Sequence, residues 1–84
     1  MIKVKLFGLL RLDSGIKQLE LEARELNELC TKVAFEIKKA KPDSAINVDS
    51  VKNCIVAVNG KQVKPGAKLT DGDEVMFLSP VAGG

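Results

Sequence analysis

The feature that most limits how this chain can fold is a change of hydrophobic period near residue 25. Before it, apolar residues alternate. Ile2, Val4 and Leu6 are interleaved with Lys3 and Lys5, and Leu19 and Leu21 with Gln18, Glu20 and Glu22. That is the two-residue period of half-buried strands. After it, Leu26, Leu29, Cys30, Val33, Ala34 and Ile37 fall at i, i+3, i+4, i+7, i+8 and i+11, the stripe of one helical face. Asn27 is a candidate N-cap, with the start open over Glu25 to Asn27, and Pro42 is a natural stop. Lys32, Glu36 and Lys39 lie on the wet face, while Phe35 falls off the stripe and is read at its edge or against a partner. Lys38, Lys39 and Lys41 suit a helix C-terminus, where cations meet the negative end of the dipole.

Strand patterns return beyond the helix. Residues 41–53 are polar, anchored by Ile46, Val48 and Val51, and read as a loop or a short helical turn. Cys54 to Val58 is a continuous apolar run, the pattern of a strand covered on both faces. Asn59-Gly60 suits a type I′ turn into a short return strand, Lys61 to Val63. Pro65-Gly66 marks another turn. Glu74 to Leu78 is the last strand, ended by Pro80, and Val81-Ala82-Gly83-Gly84 forms a tail. The first two strands, with the Asp13-Ser14-Gly15 turn cluster between them, predict an antiparallel hairpin. The order is ββαβββ. One helix on a mixed sheet of about five strands, an α+β fold, is the economical packing. The expected division is a domain over 1–80 and a tail over 81–84.

With 84 residues the chain has little room for both a core and a deep catalytic cleft. It contains no histidine, so Cys–His and Ser–His–Asp catalysis are excluded within it, and the commonest metal ligand is missing. No metal site is expected. Cys30 and Cys54 make no CxxC pair and sit in apolar patterns, as buried, inert thiols do. A net charge of +2, with no Trp or Tyr, does not point to nucleic acid. No apolar run is long enough to span a membrane and no signal peptide is evident, so the expected location is cytoplasmic.

These exclusions direct attention to the tail. A frayed terminus is the plain reading of two final glycines. The chemical one is that a terminal glycine offers a carboxylate with no Cβ beside it, able to enter a narrow channel and accept attack. The four residues beyond Pro80 span up to about 13–14 Å when extended. Neither GxxxxGK[ST] nor GxGxxG is present, so activation of Gly84 has to come from another protein.

Three segments then carry a family likeness. Residues 3–11, Lys-Val-Lys-Leu-Phe-Gly-Leu-Leu-Arg, look like a first strand with a Phe-Gly-x-x-Arg turn. Val56-Ala57-Val58-Asn59-Gly60 looks like a central strand and hairpin, and Leu69 to Val75 with Pro80-Val81-Ala82-Gly83-Gly84 like a closing strand and tail. Together they resemble the β-grasp, ubiquitin-like sulfur carriers, and within them the small subunits of molybdopterin synthase. The resemblance implies a chain that is not catalytic alone but is the sulfur-donating subunit of a sulfurtransferase complex. An ATP-dependent activating enzyme would adenylate Gly84, and a sulfur donor would convert it to a thiocarboxylate. The tail would then enter the large synthase subunit and pass sulfur to a pterin precursor in molybdenum cofactor biosynthesis. The resemblance implies no cofactor on this chain, with ATP used in trans. Gly83, Ala82 and Val81 would form the slim tail. Phe7 and Phe77 match apolar positions of the partner-docking surface, or else pack in the core; Arg11 would pair with an acidic partner residue. The same scaffold serves thiamine and tungsten-cofactor pathways and, as a ubiquitin-like modifier, conjugation to lysines.

Overall fold

A computed structural model describes residues 1–64 and 66–79. The turn reading at Pro65, the stop at Pro80 and the tail over Val81, Ala82, Gly83 and Gly84 lie outside the described residues. The elements run β1 (Ile2–Phe7), α1 (Leu9–Ser14), β2 (Gln18–Leu21), α2 (Leu26–Ala40), α3 (Val48–Lys52), β3 (Ile55–Val58), β4 (Lys61–Gln62) and β5 (Glu74–Leu78). They form a five-stranded mixed sheet in the order β2-β1-β5-β3-β4. β1 pairs antiparallel with β2 and parallel with β5, while β3 is antiparallel to both β4 and β5. The first and last strands are therefore neighbours at the centre of the sheet.

Alternation decides which side chains turn to the helix. Register pairs Val4 with Val75 and Leu6 with Phe77, and Phe77 with Val56. These residues join Ile2, Leu26, Leu29, Val33 and Ile37 in one buried cluster. The whole apolar stripe of α2 is buried, so period and packing agree. Phe35, outside that stripe, is exposed, with the Lys39 ammonium 5.9 Å from its ring centre.

Four local expectations need correction. The link between β1 and β2 is not a bare turn: it holds α1, closed by Gly15 in the left-handed conformation at φ 74°. Six residues with only Leu10 buried are too short for helical periodicity to register. Of the start left open over Glu25 to Asn27, the N-cap of α2 is Glu25 and the Asn27 candidate is not used. Leu26 must be helical for its side chain to be buried, and a backbone bond from the Leu26 N–H to the Ala67 carbonyl (2.8 Å) fixes the entry there. The Glu28 carboxylate, in the first turn, accepts from the Arg24 N–H at 2.7 Å and so ties the incoming chain to the helix. Third, Ile55 is 47% exposed, so β3 is covered on one face only; α2 shields a single side of the sheet. Last, the return strand β4 ends at Gln62, one residue before the expected Val63.

Between α2 and β3, the polar segment resolves into the short-helix alternative. Asn47 and Ser50 build a reciprocal capping box at the start of α3. Asn59 and Gly60 both have positive φ, 51° and 86°, as the type I′ turn requires.

Candidate functional site

The outward face of the sheet is graded along β1 and β5. At the start of the two strands it is charged: Lys3 lies beside Glu20 and Glu74, and the Lys5 ammonium is 3.4 Å from the Glu74 carboxylate. In the next row Lys5 neighbours Met76, then Ala57 and Gln62. The last row is wholly apolar: Phe7, Leu78 and Ile55 are consecutive partners across β1, β5 and β3. Leu78 is 45% exposed and Phe7 is half-buried. This row sits at the end of β5, one residue before Ser79, where the described chain stops short of the tail.

Helix α1 begins at the same end of the sheet and adds exposed Leu9, Arg11 and Leu12. Arg11 makes no ion pair among the described residues. The structure therefore brings Phe7 and Arg11 to the tail's end of the fold. Phe77 it does not: the ring is fully buried against the helix layer. Strand parity is the reason, because Phe77 lies between outward Met76 and outward Leu78. Of the two readings of Phe77, core packing is the one realised, and Leu78 takes the outward place. The alternation of β5 alone held that signal, since Val75 and Phe77 share one face.

The root of the tail is fixed by an unusual junction. Gly8 has φ 67°, a conformation that favours glycine. A Cβ there would lie 2.9 Å from Ser79 Oγ and 3.0 Å from the Ser79 carbonyl oxygen. Ser79 is buried, and its hydroxyl accepts from the Leu10 N–H at 3.2 Å and donates to the Phe7 carbonyl at 3.3 Å. Sequence reasoning missed Ser79, which has no pattern of its own.

Side-chain nucleophiles are poorly placed. Burial pushes the Cys54 thiol up to about 11 and raises Cys30 as well, although Lys52 pulls Cys30 the other way. The basic cluster is engaged at the end of α2: Lys38 donates to the Ser44 carbonyl, and Lys41 donates to the Asp13 carbonyl at 2.9 Å and pairs with its carboxylate at 3.6 Å. Among the described residues no three His, Cys, Asp or Glu gather as a metal set, and no helix is long and apolar enough to cross a membrane. An open cleft lined by Glu22, Arg24, Glu28, Lys32 and Asp71 lies at the opposite end of β1 from the apolar row.

The sequence profile of the ThiS family matches residues 4–84. The chain belongs to the ThiS family. It is thus a member of the ubiquitin-like sulfur carriers, with their β-grasp fold. No curated protein sequence matches it. Among solved structures, it is similar to the Pyrococcus furiosus protein assigned as molybdopterin converting factor subunit 1, with 28% identity, TM-score 0.67, and 95% of this chain and 97% of that one covered. It is similar to a chain in the complex of subunits 1 and 2 of the molybdopterin-converting factor from Helicobacter pylori, at 25% identity and TM-score 0.60, covering 99% and 97%. The small archaeal modifier protein 1 of Methanosarcina acetivorans shares the fold at TM-score 0.73 and 23% identity, covering 99% and 95%.

Proposed function

We propose that this ThiS-family chain is the small, sulfur-carrying subunit of a molybdopterin synthase, with the Gly84 carboxylate as its reactive group. The observation that carries the reading is the outward apolar row of Phe7, Leu78 and Ile55 at the root of the tail. Such a row gives a partner protein a surface to hold while the tail enters its active site. The Helicobacter relative, a subunit of a two-protein complex, supports a partner of this kind.

In this cycle a carboxylate oxygen of Gly84 attacks the α-phosphorus of ATP in the activating enzyme, and pyrophosphate leaves. A sulfide equivalent from the sulfur donor attacks the acyl carbon and AMP leaves, giving the thiocarboxylate. The large synthase subunit then receives the tail, and the sulfur passes to a cyclic pterin precursor. The chain's contribution is presentation. Gly83 and Gly84 have no side chains to obstruct a narrow channel, and the docking face supplies the affinity. Leu78 and Ile55 form its exposed apolar centre, while Arg11 offers a guanidinium to an acidic group at its rim. The chain itself holds no cofactor, and the cycle runs in the cytoplasm.

The test is intact-mass measurement after incubation with activating enzyme, ATP and sulfide. The expected result is a gain equal to one oxygen replaced by sulfur, located on Gly84, followed by dithiolene formation when the large subunit and pterin precursor are added. No mass change with an enzyme that loads another carrier of the family overturns the reading. Isopeptide bonds from Gly84 to cellular lysines, read as the C-terminal peptide after Lys68 attached to target lysines in a tryptic digest and without dithiolene formation, would assign the chain to protein modification instead.

A further inference from the structure

Helix α1 is capped in trans. An N-cap residue ordinarily uses its own side-chain oxygen to accept from the N–H of the second or third helical residue. Here the N-cap is Gly8, which has no side chain and makes no such bond. The oxygen comes instead from Ser79, just beyond β5, which accepts from Leu10, the second residue of α1, at 3.2 Å. The same hydroxyl donates to the Phe7 carbonyl at 3.3 Å. Gly8 makes this possible twice over: it adopts φ 67°, and its missing Cβ leaves the space that Ser79 fills. One buried hydroxyl thus ties the end of β1, the first turn of α1 and the last described residue of the chain together.

We propose that Ser79 is a positioning residue for the activation of Gly84: its trans-cap locks the point where the tail begins to the docking face. The inference rests on the reading of Gly84 as the reactive terminus, and goes beyond it by naming what aims that terminus. Phe7 belongs to the apolar row and Leu9, Arg11 and Leu12 to α1, so the surfaces a partner would grip lie on either side of the Gly8 junction. Locking Ser79 to that junction gives a docked partner a fixed origin for the tail. Without the lock, the carboxylate samples more directions from the same docked head, and fewer of them are productive.

The experiment compares the full chain with Ser79→Ala and with Ile37→Val, a core substitution in α2 of comparable stability cost that touches neither the face nor the junction. Adenylation by the activating enzyme is followed by ATP–pyrophosphate exchange over a range of carrier concentrations, and amide hydrogen exchange is read at Leu10. Ser79→Ala is expected to speed Leu10 exchange about fivefold and to lower kcat about fivefold, with KM within about twofold of the parent, as loss of one buried hydrogen bond would allow. A merely structural defect lowers the folded fraction, which raises apparent KM and leaves kcat at saturation unchanged; Ile37→Val should show that pattern or no change. If Ser79→Ala behaves like Ile37→Val, the proposal is overturned. If the parent chain supports no exchange at all, the underlying reading of Gly84 fails first, and the two failures are told apart.

Discussion

Phe7 and Leu78 are register partners across the parallel β1–β5 pair, side by side on the outward face. Their inward neighbours, Leu6 and Phe77, are also register partners and are fully buried. A shift of one position separates a surface that can be offered to a partner from one that holds the sheet to α2. The two pairs should respond to mutation in opposite ways.

Leu78→Lys places a charge in the centre of the apolar row. Its folding cost should be small, because the side chain is already 45% exposed. Affinity for the proposed partner, a large synthase subunit, should fall by more than tenfold, the scale of a central interface anchor at about 2 kcal/mol. Calorimetric titration together with thermal melting separates the two effects. A variant that binds normally would remove this face from the interface.

Phe77→Ala should do the reverse. Removing a fully buried ring costs about 3–5 kcal/mol, a large share of the stability of a domain this small. Urea unfolding is expected to show a sharply lowered midpoint, or no folded baseline. Retained stability with lost binding would put Phe77 back on the docking surface.

Gly8 and Gly15 flank α1 and both have positive φ, 67° and 74°. Alanine at either is strained, at a cost of about 1 kcal/mol or more. Only at Gly8 does the new Cβ also meet the Ser79 backbone; at Gly15 nothing lies within 4 Å. Gly8→Ala should therefore lower the melting temperature clearly more than Gly15→Ala. Equal losses would mean that the close approach of Ser79 contributes nothing.

Acid should weaken the fold through two carboxylates. The Thr70 N–H at 2.8 Å and the Asn59 amide at 2.9 Å hold the Asp73 carboxyl below its ordinary 3.8. The Ser44 hydroxyl, aided by Lys41, does the same for Asp13 against burial. A group whose pKa is lower folded than unfolded stabilises fully above the unfolded value, and that contribution is lost as pH falls through the folded one. The melting temperature should hold down to about pH 5 and decline below pH 4. Asp73→Asn should start lower at neutral pH and decline less steeply. At the other extreme, Cys54, raised from 9.0 to about 11, favours the fold less as pH climbs between those values. At neutral pH both thiols should resist labelling by thiol reagents until the protein unfolds.

The elements that sequence made legible are those whose residues repeat. The α2 stripe, the alternation of β1, and the Asn59-Gly60 turn each impose a local pattern, and each formed where the pattern lies. The unread elements depend on distant partners. α1 owes its cap to a serine from the far end of the chain, so nothing within Leu9–Ser14 announced it. The start of α2 was displaced from Asn27 because the Ala67 carbonyl, on a later loop, binds the Leu26 N–H. At the candidate site, a motif pointed to Phe7 and Arg11, but strand parity had to decide between Phe77 and Leu78. Ile55 went unnoticed because an apolar run reads as buried until one knows that only one face of the sheet is covered.

The central pairing of β1 with β5 also orders events in time. Phe7 and Ser79, 72 positions apart, are joined by a hydrogen bond beside this pairing. A growing chain holds β1 without its central neighbour until nearly all of the domain has been made, and contacts so distant in sequence form late. A product broken off before β5 has no complete sheet and stays open to proteases. Folding thus acts as an inspection of length: a copy that passes it already carries the strand from which its tail departs.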